Sequence, residues 1–335
     1  MLDQERLKGW IAQAVGAQAC RVERLSMLSG GAIQENWALD LLVTGGQRAG
    51  RHLLVLRTDA PSRLPVSHDR MEEFAVLTIA HRAGVTVPEP WIACPDVEVI
   101  GRRFYLMSRC PGEARGQRLT KDATILAAGS KLGFQLGSEL AKLHRIRPPV
   151  PELAFLHLDD GAAATARVTE YRGHLDRMGR HEPVLEWALR QLERRAPGPV
   201  PPVLCHRDFR TGNYLVEDGR LTAILDWEFA GWSDPMEDIG WMLSRPWRFA
   251  NPRLEAGGVA GAEDFLAGYE AESGSRVIRT ALPYWQSMAV VRWAVIALLQ
   301  AERHLSGRER SLELALTGHV LPELEAELLR SLGNM

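Results

Sequence analysis

Short apolar runs at residues 22–27, 37–43 and 51–57, the last holding Leu53-Leu54-Val55-Leu56, read as three strands. Ahead of them Leu7, Trp10, Ile11 and Val15 recur at helical spacing before Gly16 and predict an N-terminal helix. Leu28-Ser29-Gly30-Gly31-Ala32 reads as the turn of a hairpin between the first two strands. Helical spacing returns over 69–83, closed by Gly84, and Phe104-Tyr105-Leu106-Met107 reads as a further buried strand. This order of strands, helix and strands predicts a small α+β lobe.

From residue 123 the pattern turns helical, with Leu126, Leu132, Leu136, Leu140 and Leu143 on one stripe that ends before Pro148-Pro149. A second helical stretch over 164–195 is expected to break at Gly173 and Gly179. After Pro197-Gly198-Pro199, the run Val203-Leu204-Cys205 is followed by two strands, 213–216 and 221–225, facing each other across Asp218-Gly219. Helices over 282–302 and 310–332 complete a mainly helical second lobe.

A chain of 335 residues accommodates two lobes with a large core. Its 40 Lys and Arg against 42 Asp and Glu are interspersed, which gives no basis for a nucleic-acid partner. The four cysteines, Cys20, Cys94, Cys110 and Cys205, show no C-x-x-C spacing, and the charged start Met1-Leu2-Asp3-Gln4-Glu5-Arg6 does not suit a signal peptide. The most apolar later run, 288–299, is too short to span a bilayer and contains Arg292. A cytoplasmic protein without a membrane partner is the expectation.

Phosphoryl transfer from ATP needs positioning, cations near the phosphates and a carboxylate that takes the acceptor's proton. His206-Arg207-Asp208 followed by Asn213 has the spacing H-R-D-x-x-x-x-N, and Asp226 arrives after the expected hairpin. Asp208 is the candidate base. Asn213 and Asp226 offer hard oxygen ligands suited to Mg²⁺. Asp238 is expected to cap a helix beginning near Ile239 or to bond the catalytic loop, and His206 to orient that loop rather than act as a base.

The segments Leu204-Cys205-His206-Arg207-Asp208-Phe209-Arg210-Thr211-Gly212-Asn213, Ile224-Leu225-Asp226-Trp227-Glu228 and Asp234-Pro235 resemble the aminoglycoside phosphotransferase and choline kinase superfamily. The resemblance implies a protein-kinase-like pair of lobes: 1–108 grasping ATP, and 109–335 carrying the catalytic loop and a small hydroxylated acceptor. It implies ATP and Mg²⁺ as cofactors, Asp208 as base and Asn213 and Asp226 as metal ligands. Ser29, Gly30 and Gly31 then fall at the loop over the phosphates, where glycine permits close backbone approach. Met107, Ser108, Arg109 and Cys110 fall at the inter-lobe hinge that reads the adenine edge. The third strand ends at Arg57 where the family usually has lysine, and a planar fork is not equivalent to a point charge. Glu73 is the expected helix partner of Arg57, with Glu72 as the substitute.

A protein kinase is disfavoured because Trp227-Glu228 follows Asp226, no Ala-Pro-Glu follows, and there is little room for an activation segment. A metal-dependent phosphoesterase would need more ligands than His206 brings nearby. A non-catalytic nucleotide-binding module is the alternative that Arg57 and the abbreviated glycine loop favour. For the acceptor, Trp227, Trp232, Trp241, Trp247, Trp285 and Trp293 offer aromatic walls. Glu228, Asp234, Glu237, Glu270 and Glu272 would suit a polycation, whereas Arg245, Arg248 and Arg292 would suit a carboxylate or phosphate.

Overall fold

Alternation places Leu39, Leu41 and Val43 of one strand and Leu54 and Leu56 of the next on a common face, and burying that face organises the first part of the chain. In the computed structural model, which describes residues 2–28, 34–59, 67–159 and 162–333, the chain forms two compact units. The first comprises Met1–Gly112, Pro151–Phe155 and Thr222–Phe229, and the second holds the remainder. The first unit thus recruits two segments from later in the chain.

In the first unit, helix α1 (Gln4–Ala14) is capped by the Asp3 carboxylate and packs Leu7 and Ile11 onto the sheet. Strands β1 (Ala19–Met27), β2 (Gln34–Thr44) and β3 (Gly50–Asp59) precede helix α2 (Arg70–Arg82), which is followed by β4 (Pro90–Cys94) and β5 (Phe104–Ser108). All neighbours are antiparallel, in the order β1-β2-β3-β5-β4. Strand β4 is absent from the sequence reading, because its apolar residues Trp91-Ile92-Ala93-Cys94 are bracketed by Pro90 and Pro95, and proline argues against a strand. Register sets Asn36, Arg57 and Tyr105 side by side on the face opposite Leu54 and Leu56. That face carries the polar chemistry of the unit.

The second unit opens with the short helices α3 (Gly116–Leu119) and α4 (Ala123–Ala127), then α5 (Gly129–Leu143). Leu132, Leu136, Leu140 and Leu143 are buried as the stripe predicts, whereas Leu126 lies on α4 and is only partly buried. Helix α6 (Ala163–Met178) runs through Gly173 and ends at Gly179, whose left-handed φ of 62° terminates it before α7 (Pro183–Arg194). Strand β6 (Val203–Cys205) precedes the hairpin of β7 (Tyr214–Glu217) and β8 (Arg220–Ile224). Positive φ at Asp218 and Gly219 is the turn conformation their sequence calls for. Strand β9 (Gly231–Ser233) pairs antiparallel with β6.

Helix α8 (Pro235–Leu243) starts four residues earlier than expected, with Asp234 rather than Asp238 as its cap. Proline is favoured at the first helical position, so Asp234-Pro235 was the stronger start signal. Helix α9 (Ala262–Ser273) packs on α5 so closely that a Cβ on Gly137 or Gly268 would lie 1.9 Å from a carbonyl oxygen of the other helix. The apolar run judged too short for a bilayer belongs to a longer helix, α10 (Leu282–Leu305). By length and composition this helix could cross a membrane, yet 67% of its most apolar window is buried within the fold. Helices α11 (Leu312–Gly318) and α12 (Leu321–Gly333) divide the single helix expected over 310–332.

Candidate active site

The polar face of the first unit converges on Arg57. Its Nε donates to Glu73 Oε2 at 3.1 Å, its Nη2 lies 2.8 Å from Glu73 Oε1, and Nη1 donates to Asn36 at 3.3 Å. Nη2 also bonds Asp226 Oδ1 at 2.7 Å. Glu73 is fully buried on α2 and is shared with Arg70, which pairs with Asp59 at 3.0 Å. Glu72 instead closes the capping box at Asp69, so the helix partner of Arg57 is Glu73. Burial opposes the charge on Arg57, and Glu73 and Asp226 more than restore it.

Asp226 adopts a left-handed φ of 62°, a conformation that costs a non-glycine residue about 1–3 kcal/mol. Two residues on, Glu228 is buried, and desolvation with the Asp226 charge pushes its carboxyl up to about 8. Of the expected hinge residues, Met107 is paired on β5 between Val55 and Pro90. Ser108 exchanges bonds with Glu89 through its N–H at 2.9 Å and its hydroxyl at 2.8 Å. Arg109 is tied to Asp40 at 2.8 Å, and the Cys110 thiol is pushed up by burial. Ser29, Gly30 and Gly31 lie outside the described residues.

In the second unit the carboxylate of Asp208 is held from three directions. Trp241 Nε1 donates to its Oδ1 at 3.0 Å, Arg210 Nε donates to the same oxygen at 3.1 Å, and the Asn213 amide donates to Oδ2. The Asn213 amide also reaches the Asp208 carbonyl at 2.9 Å. Asn213 is 3% exposed, and spending its NH₂ on Asp208 leaves the side-chain oxygen as its other polar function. From sequence Trp241 was one of six candidate walls for the acceptor and Arg210 a residue of the catalytic loop; neither was expected to hold Asp208. The D-x-R offset within the loop was the signal for Arg210; Trp241 comes from α8 and carried none.

The loop's backbone is braced from below. Arg207 has a φ of 61°, and its N–H and that of His206 donate to the two oxygens of Asp238 at 2.7 and 2.6 Å. Asp238 therefore takes the second of its two expected roles, bonding the loop from the interior of α8. His144 Nε2 meets the same carboxylate at 3.2 Å, and its Nδ1 meets the Tyr269 hydroxyl at 2.9 Å. His144, Cys205 and Asp238 present atoms within 4.8 Å of one another, a spacing compatible with a metal. Hydrogen bonds account for the histidine and aspartate atoms, and burial first, then nearby carboxylates, raises the Cys205 thiol. The group is a brace. His206 Nδ1 accepts from the Asp208 N–H at 3.2 Å, consistent with an orienting part.

Beside the loop lies a buried charge network. Arg207 bonds Glu237 at 3.2 Å and Glu170 at 3.3 Å, Arg167 bonds Glu170 and Asp159 at 2.5 Å each, and Ser233 donates to Glu237. Burial works to raise the Glu237 carboxyl, but Arg207, Arg167 and Arg292 outweigh it and hold it at about 2. Arg292 stacks 4.5 Å over Trp241, Trp241 and Trp247 lie 4.9 Å apart, and Arg210 stacks 4.6 Å over Trp247.

An antiparallel five-stranded sheet followed by a mainly helical part, with these loops, defines a class. The chain belongs to the phosphotransferase enzyme family, whose model matches residues 25–277. Its fold is kinase-like. A protein of Ralstonia eutropha JMP134 described as a candidate aminoglycoside phosphotransferase superposes with a TM-score of 0.77 at 18% identity, covering 100% of this chain and 99% of that one. A thermostable mutant of aminoglycoside phosphotransferase APH(4)-Ia, in a ternary complex with ADP and hygromycin B, superposes at 0.62 with 16% identity over 97% and 98% of the two chains. Among curated relatives, acyl-CoA dehydrogenase family member 11 of Pongo abelii is 26% identical over 82% of this chain and 37% of its own length; the human protein is 25% identical over 82% and 36%. The chain thus spans just over a third of those relatives.

Proposed function

We propose that this protein transfers the γ-phosphate of ATP to a hydroxyl of a small-molecule acceptor. The observation that carries the proposal is the Asp208 carboxylate held by Trp241, Arg210 and Asn213, because a base must be fixed in orientation before it can direct a hydroxyl. The solved neighbours with bound ADP support the nucleotide. The dehydrogenase named in the curated relatives is not part of the proposal.

In this reading Asp208 accepts the acceptor's proton as the acceptor oxygen bonds to the γ-phosphorus and the bond to the ADP oxygen breaks. Arg57, held by Glu73, presents its guanidinium to the phosphates, and Asp226 is already within its reach. Asn213 and Asp226 would each offer a hard oxygen of the kind Mg²⁺ takes, and the ion would neutralise charge on the phosphates when bound. Ser29, Gly30 and Gly31 would cover the phosphates, while Met107, Ser108, Arg109 and Cys110 would flank the base.

The test is transfer of ³²P from [γ-³²P]ATP, with Mg²⁺, to a pooled panel of hydroxylated metabolites and aminoglycosides. A labelled product that disappears with Asp208→Ala supports the proposal. ATP binding without product or ATP consumption would instead favour the non-catalytic module, for which the Arg57–Asp226 pair is the structural argument.

A further inference from the structure

Three of the acidic residues that would suit a polycationic acceptor are already paired with arginines in the second unit. Glu237 is bonded by Arg207, Glu270 pairs with Arg276 and Arg279 at 2.9 and 2.8 Å, and Glu272 pairs with Arg145. Asp234 is engaged in capping α8. The three arginines of the same region differ from one another. Arg245 lies on the surface near Glu327, and Arg248 donates to the Leu243 and Pro252 carbonyls. Arg292 is 6% exposed, and its nearest carboxylate, Glu237 at 3.9 Å, is already bonded by Arg207 and Ser233.

Among the described residues, Arg292 Nη1 has no hydrogen-bond partner, and neither do the hydroxyls of Tyr171 and Tyr284, each residue being 3% exposed. Tyr284 and Arg292 stand eight residues apart on one face of α10, and α6, which carries Tyr171, packs on that helix. Burial pushes both phenols up; for the Tyr171 hydroxyl, Arg292 and Arg207 oppose the rise and Glu237 and Glu170 add to it, and for that of Tyr284, Tyr171 and Asp234 add to it. Three buried donors thus lack an acceptor, and each such group left unmade costs about 1–3 kcal/mol. The guanidinium has donors only and each phenol can donate as well, so the oxygens of a carboxylate or phosphate would satisfy all three and match the positive charge. The indole of Trp241, with Arg292 4.5 Å over its ring and Asp208 3.0 Å from its nitrogen, connects this group to the candidate base.

We propose that Arg292, Tyr171 and Tyr284 form an anion-binding subsite that takes a carboxylate or phosphate group of the acceptor. As a statement about the acceptor this rests on the phosphotransfer reading; as a statement about anion binding it can be tested alone. Titration calorimetry of the full chain saturated with ADP, using inorganic phosphate and acetate as probes, reads it directly. The subsite predicts saturable binding of one or both anions; the tighter of the two indicates which group the acceptor carries. Arg292→Gln weakens that binding roughly 10- to 100-fold, the range expected for a lost hydrogen bond to a charged group. Tyr171→Phe weakens it about 5- to 10-fold while its melting temperature stays the same or rises, because an unpartnered hydroxyl has been removed. No saturable anion binding by the wild type, or equal binding by wild type and both variants, overturns the subsite. Failure of ADP to bind counts against the phosphotransfer reading instead, and the same titration without nucleotide then decides the subsite by itself.

Discussion

The indole N–H of Trp241 donates to Oδ1 of Asp208 across 3.0 Å, so a residue of helix α8 fixes the orientation of the carboxylate on the loop above it. A hydrogen bond to a charged group contributes about 1.5–3 kcal/mol. Under the proposed function, Trp241→Phe lowers kcat roughly 10- to 100-fold and leaves KM for ATP within about twofold. Steady-state kinetics check this, and a raised KM for ATP with kcat unchanged would mean that the indole serves nucleotide binding instead.

Arg57 joins Glu73, Asn36 and Asp226 through three nitrogens, which a lysine ammonium cannot do from one point. Under the proposed function, Arg57→Lys is expected to raise KM for ATP about tenfold. Arg57→Ala leaves the fully buried Glu73 with Arg70 alone and costs about 3 kcal/mol of stability, measured by denaturant unfolding.

Asp238 accepts two backbone N–H groups and offsets the left-handed φ of Arg207. Asp238→Asn replaces one of those acceptors with a donor facing an N–H. The expected cost is about 2–4 kcal/mol, or a fall of roughly 5–10 °C in Tm. An unchanged melting curve would show that the loop holds its shape without this brace.

Glu237 supplies a pH dependence whose sign follows from its carboxyl being held at about 2 against an ordinary 4.5. A depressed acid binds protons less readily in the folded state, so its contribution is complete above about 4.5 and is lost as pH falls towards 2. Unfolding free energy of the wild type minus that of Glu237→Gln should therefore shrink between those values. A difference constant from pH 6 to pH 3 would contradict the arginine network as its cause.

Local signals were legible where one residue type had one use. Asp218-Gly219 predicted its turn, and Glu73 was the expected partner of Arg57 and lies on the buried side of α2. The α+β and helical halves followed from apolar periodicity. What escaped were choices made by tertiary packing. Gly173 sits inside α6 because a helix held at both ends by buried residues tolerates an interior glycine, whereas Gly179 ends it with a left-handed turn. Trp241 was one of several tryptophans; it is buried in a cluster with Trp247, and only the packing of α8 against the loop gives its N–H Asp208 as a partner.

The central claim is most directly tested by ATP consumption under saturating Mg²⁺ and acceptor in wild type and Asp208→Asn, with the affinity for ATP measured in parallel. The account predicts a loss of at least about 100-fold in kcat with ATP affinity unchanged within about twofold. Equal turnover by the two proteins would contradict it.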